Sequence, residues 1–183
     1  MQDAIEAILQ AYGVLDEFIA LEGLAESEAL WHIEILPQGK TWLVTSVLCM
    51  ILLLSCQPYY DSPLTSNPPR SPPIASSTFS QPLVIARISN TVILAHYSTE
   101  TWDVVYDPLM EYNVTLKKWT PLCLQRHYEG HFKVADGGIS LEEAQKFGRE
   151  WAARLIERGY HDIAVGQLRR VATSRHSTVP SKL

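Results

Sequence analysis

Arg126, His127, Tyr128, Glu129, Gly130 and His131 form the strongest polar constellation in the chain. Alternate side chains of an extended strand share a face, so such a strand would project His127, Glu129 and His131 together. Two imidazoles and a carboxylate suit either a metal ion or a proton relay, because neutral imidazole accepts a proton near neutral pH while a carboxylate orients it. His127 is the preferred general base of the three. A solvated strand face is the plainer alternative, with Gly130 introducing a bulge that separates the imidazoles. No zinc-type ligand spacing accompanies them, and no metal is assigned.

Trp102, Asp103, Tyr106 and Asp107 make a second group, aromatic and acidic. Trp102, Val104 and Tyr106 would share one strand face, which core packing explains most simply. A cavity lined by Trp102, Asp103 and Tyr106 would instead hold a small organic ligand. Asp136, Gly137 and Gly138 precede a capped helix, where backbone amides favour an anion, although a tight turn entering the helix explains them better. Gly39, Lys40 and Thr41 resemble the end of a phosphate-binding loop, but Glu34 occupies the place of its first glycine. Rossmann glycines, a serine nucleophile and a catalytic cysteine signature are also missing, so no cofactor is identified.

The elements that must position these groups follow from periodicity. Ile5, Ile8, Leu9, Tyr12, Leu15 and Ile19 recur every three or four residues behind Asp3, which predicts one amphipathic helix with an acidic outer face. Trp31, Ile33 and Ile35 alternate with His32 and Glu34 as in a half-buried strand. Strands are expected over 83–88 and 91–97, joined by a turn at Ser89 and Asn90, and then over 101–106, 112–119 and 122–134. Asp107-Pro108 and Thr120-Pro121 read as turns between them. Ser140 and Glu143 form a capping-box pattern that opens a helix over 141–158, and Gly159 stands where a left-handed stop belongs. A final strand is expected over 161–171. The fold class predicted is α+β: an antiparallel sheet packed by an N-terminal and a C-terminal helix, with a long Pro/Ser-rich insertion.

A chain of 183 residues is large enough for a single core that buries about two-thirds of its unfolded surface. Its domain is expected over 1–171, interrupted at about 44–81. Seven of the eleven prolines lie in 57–82, a composition that resists helix and central strand. Before it, 42–56 is apolar but shorter than the roughly 20 residues of a spanning helix. An intervening sequence translated into protein is a further reading of 44–81, since pyrimidine-rich tracts encode Leu, Ser, Pro and Phe.

The net charge of −5 is unevenly spread, with eight acids and no Lys or Arg in 1–39. No broad basic surface follows, which argues against nucleic-acid binding. Cys49, Cys56 and Cys123 are odd in number and show no paired spacing, which suits a reducing compartment. Residues 172–183 read as a polar, flexible tail ending in Ser181, Lys182 and Leu183. That tripeptide is a receptor-read peroxisomal address. The expectation is therefore a peroxisomal-matrix protein that meets the import receptor through its tail. Its domain would be a small cofactor-independent enzyme, or a catalytic accessory, acting on an organic substrate. The alternative is a non-catalytic binding or membrane-associated module.

Overall fold

The computed structural model describes residues 1–21, 30–38, 80–98, 105–115, 118–126 and 129–171, all within one compact unit. The insertion expected at 44–81, apart from Ser80 and Gln81, and the tail at 172–183 lie outside the described residues.

Helix α1 (Gln2–Ala11) buries Ile5, Ile8 and Leu9 and carries Asp3 in its first turn, where the positive helix end favours an acid. The apolar period runs on to Ile19, but the helix does not. Gly13 adopts φ +67°, and the Val14 N–H donates back to the Leu9 carbonyl at 3.0 Å. A second helix, α2 (Leu15–Ile19), restarts beyond this turn; it buries Phe18 and leaves Ile19 half exposed. The single helix expected there is thus broken by a glycine that the periodicity alone does not register.

The strands are β1 (Leu30–Pro37), β2 (Leu83–Ile88), β3 (Thr91–Ser98), β4 (Val105–Asn113), β5 (Thr120–Arg126), β6 (Gly130–Lys133) and β7 (Gly166–Arg170), with helix α3 (Leu141–Glu157) before the last. They form one antiparallel seven-stranded sheet in the order β6-β5-β4-β3-β2-β1-β7. Sheet and helices together are an α+β fold. Neighbours in sequence pair from β1 to β6, whereas β7 returns after α3 to the outer side of β1.

Register lines up one apolar row across six strands: Ile33, Ile85, Leu94, Met110, Leu124 and Phe132. Residues of α1 and α3, including Ile5, Leu9, Trp151 and Leu155, share a buried cluster with that row. Alternation also explains why both faces of β2 and β3 are apolar, since Val84, Ala86, Ile93 and Ala95 on the other side are buried too.

Several expected boundaries change: the strand expected over 112–119 is not a separate element, since Tyr112 and Asn113 close β4, and Thr120 and Pro121 open β5 instead of forming a turn. Asp107 and Pro108 are not a turn but part of β4, where the pairing with β3 shifts between Ala95 and Tyr97 and pairing with β5 starts only at Leu109. Pro108 therefore sits at a bulge, where its missing N–H removes no ladder bond. The strand expected over 122–134 is a hairpin, because Arg126 pairs with Gly130 and the Glu129 N–H turns back to the Arg126 carbonyl at 3.2 Å. Gly130, at φ +107°, permits that reversal. The last strand is shorter than expected, since 161–165 form turns before Gly166.

Helix α3 begins with the capping box intact: the Ser140 hydroxyl accepts from the Glu143 N–H, and the Glu143 carboxylate accepts from the Ser140 N–H. Its buried stripe is Ala144, Gly148, Trp151, Ala152 and Leu155. Gly148 is there for space, because a Cβ would stand 2.6 Å from the Tyr112 hydroxyl. Gly159, at φ +79°, ends the helix and delivers Tyr160 into the core.

Candidate functional site

A cavity of about 350 Å³ opens on the helix-covered side of the sheet. Strand β3 contributes His96 to it, the bulge of β4 contributes Asp107 and Pro108, and α3 supplies Phe147, Trp151 and Leu155. Arg126 from β5, Arg154 from α3 and Arg158 from its C-terminal cap complete the charged lining, together with Glu129. The volume lies at the lower end for small-molecule sites.

His96 is placed by register. It pairs with Leu83 on the same side as Ile35, next to the row that carries Leu94. Only 3% of the residue is exposed. Trp151 meets the imidazole edge to face at 5.4 Å between centroids, and Tyr160 lies against it at 5.3 Å. Nδ1 stands 3.0 Å from the Pro82 carbonyl, which only accepts, so the ring nitrogen must donate. The Tyr160 hydroxyl donates to the Gln81 carbonyl at 2.8 Å and lies 3.4 Å from Nδ1. In the neutral ring, Nε2 is then the nitrogen with the lone pair. Burial holds the imidazole down to about 4, and Arg158 and Arg154 push in the same direction, against the raising effects of the Pro82 carbonyl and Asp107. The ring is accordingly neutral at neutral pH.

Trp151 is 3% exposed, and its indole Nε1 has no hydrogen-bond partner. A buried N–H left unpaired costs on the order of 1–3 kcal/mol. Arg126 is partly committed: it donates to Glu129 at 2.5 Å and covers the Phe147 ring at 4.7 Å. Arg154 and Arg158 stand one helical turn apart on the rim, with exposed side chains.

The candidates read from the sequence are divided by the fold. Glu129 lines the cavity from the β5–β6 turn. His131 belongs to the other side of the sheet, in the row Glu34, Val84, Ala95, Leu109, Gln125 and His131, and its Nε2 meets the Cys123 sulfur at 2.8 Å. The hairpin thus separates two residues that a continuous strand would have aligned. His127, Trp102, Asp103, Ser181, Lys182 and Leu183 lie outside the described residues. Tyr106 is buried, but its ring packs against Tyr97 at 6.3 Å, away from the cavity. Among the described residues no group of three His, Cys, Asp or Glu side chains is arranged to hold a metal, and no helix is long and apolar enough to cross a membrane.

A second polar cluster occupies that other side. Glu34 is fully buried and accepts from Tyr97 at 3.1 Å and from its cross-strand partner Arg169, so the pair ties the edge strand β7 to β1. The His32 Nε2 lies 3.7 Å from the second Glu34 oxygen, too far for a hydrogen bond. Burial, reinforced by Arg169, lowers His32 to about 4. His32 and Glu34 are therefore interior, not the solvated half of β1 that alternation suggested.

Sequence reasoning passed over His96, Trp151, Arg154 and Arg158. The one available signal was a lone histidine inside the apolar run 92–97. Comparison with known proteins finds no matching family model, no matching curated protein and no matching solved structure.

Proposed function

We propose that the chain is a peroxisomal-matrix protein and a small cofactor-independent enzyme that moves a proton on an organic substrate held in the His96 cavity. The observation that carries this reading is a neutral, buried imidazole lining an open cavity, with Nδ1–H held by the Pro82 carbonyl. That tautomer leaves Nε2 to accept a proton from the substrate and return it elsewhere on the same molecule.

Localisation rests on Ser181, Lys182 and Leu183, the tripeptide that the import receptor would read. The chemical test uses solvent isotope. Extracts of peroxisomal metabolites are incubated in heavy water with the full chain or with His96→Gln, and deuterium uptake is followed by mass spectrometry. Uptake into one or a few metabolites with the wild type, reduced a hundredfold or more in the variant, is the expected result. Equal uptake by both proteins rejects His96, and no uptake by either favours the non-catalytic binding module.

A further inference from the structure

The geometry points to a substrate class for this cavity: a small organic monoanion, with a carboxylate taken by Arg154 and Arg158 at the rim. This inference rests on the proposed small-molecule reading of the site.

Charge selects the anion. Three guanidinium groups line the cavity against two carboxylates, Asp107 and Glu129, which leaves a formal lining charge of +1. Since Arg126 already donates to Glu129, the surplus falls on the α3 side, where Arg154 and Arg158 follow one another by a helical turn. A single carboxylate balances that surplus, whereas a phosphate dianion overshoots it; planar guanidinium groups suit the carboxylate in any case. Size selects a small molecule, because about 350 Å³ corresponds to roughly a dozen water volumes. Phe147, Trp151, Leu155 and Pro108 give this charged lining apolar contacts for a hydrocarbon or aromatic ligand body.

The same occupancy activates the base. In the empty site Arg158 and Arg154 disfavour protonation of His96. A carboxylate between them cancels that repulsion, so a ligand of this class raises the imidazole toward the range in which it transfers protons at neutral pH. A neutral ligand leaves it low.

Two isosteric probes test the inference on the full chain: phenylacetate and its uncharged analogue phenylacetamide, titrated by NMR on the Trp151 indole N–H and the His96 ring. The expected result is binding of phenylacetate at least about tenfold tighter than the amide, a shift of the indole proton, and a rise in the His96 titration midpoint with the acid only. The R154Q/R158Q double variant is expected to abolish the acid's advantage while its folded spectrum is retained. Equal affinity for acid and amide, or an advantage that survives in the double variant, overturns the anion assignment and leaves the proton-transfer reading standing. Binding of neither probe overturns it too, whereas the heavy-water experiment is judged on its own outcome.

Discussion

Acidification from pH 6 to about pH 4.5 should destabilise the fold steeply, and removing one buried histidine should remove a defined part of that slope. His32 and His96 are each lowered from 6.5 to about 4. Both rings are neutral in the folded chain and protonated in the unfolded chain throughout this window, so protons favour unfolding. Their contribution is fully present above pH 6.5 and is lost by about pH 4. A difference of about 2.5 units corresponds to about 3 kcal/mol for each ring over the whole range. Inside the window each contributes a slope of about 1.4 kcal/mol per pH unit, together nearly 3, within a typical total stability of 5–15 kcal/mol. Urea unfolding at closely spaced pH values measures this slope. His96→Gln should lower it by about 1.4 kcal/mol per pH unit, and His96→Gln with His32→Gln by about twice that. A single variant that keeps the wild-type slope would refute the reasoning, because the ring would then titrate alike in both states.

Gly148→Ala should cost about 1–3 kcal/mol in thermal or urea unfolding, and combining it with Tyr112→Phe should recover most of the loss, because the clash is with the Tyr112 hydroxyl alone. Glu34→Gln should cost about 3–5 kcal/mol by leaving Arg169 without its buried partner, and amide exchange should show β7 loosening first. Ser140→Ala should remove about 1 kcal/mol through loss of the α3 cap, read from the same melts. A fluorescent reporter ending in residues 172–183 should enter peroxisomes of a eukaryotic cell, and deletion of Leu183 should leave it in the cytosol.

How far the fold was legible depended on whether its signals were local. The capping box of α3, the Gly159 stop and the β2–β3 turn at Ser89 and Asn90 each lie within a few residues, and each appears where the sequence put it. Pro108 was misread because its tolerance within β4 depends on a bulge against β3 and on where β5 begins, which are non-local facts. The β5–β6 reversal was hidden for the same reason: 125–131 is polar almost throughout, Gly130 reads equally as a bulge, and pairing is what reveals the turn. The site suffered most. Glu129, singled out from a cluster of polar neighbours, lines the cavity. His96 lies in an apolar run and Trp151 on the apolar stripe of a helix, so each reads as an ordinary core position until tertiary packing brings them 5.4 Å apart. His32 and Glu34 looked solvated because alternation says which side chains share a face but not whether that face is covered.

The state of the His96 ring is the most direct test of the proposed chemistry, and nitrogen NMR of isotope-labelled histidine reads it without any substrate. At neutral pH Nδ1 should give a protonated, pyrrole-type signal and Nε2 an unprotonated, pyridine-type signal, with a titration midpoint near 4. Replacing Arg154 and Arg158 by glutamine should move that midpoint upward, as loss of two nearby positive charges requires. An imidazolium at neutral pH, or a ring protonated on Nε2 instead, would contradict the assignment of His96 as the proton acceptor of the cavity.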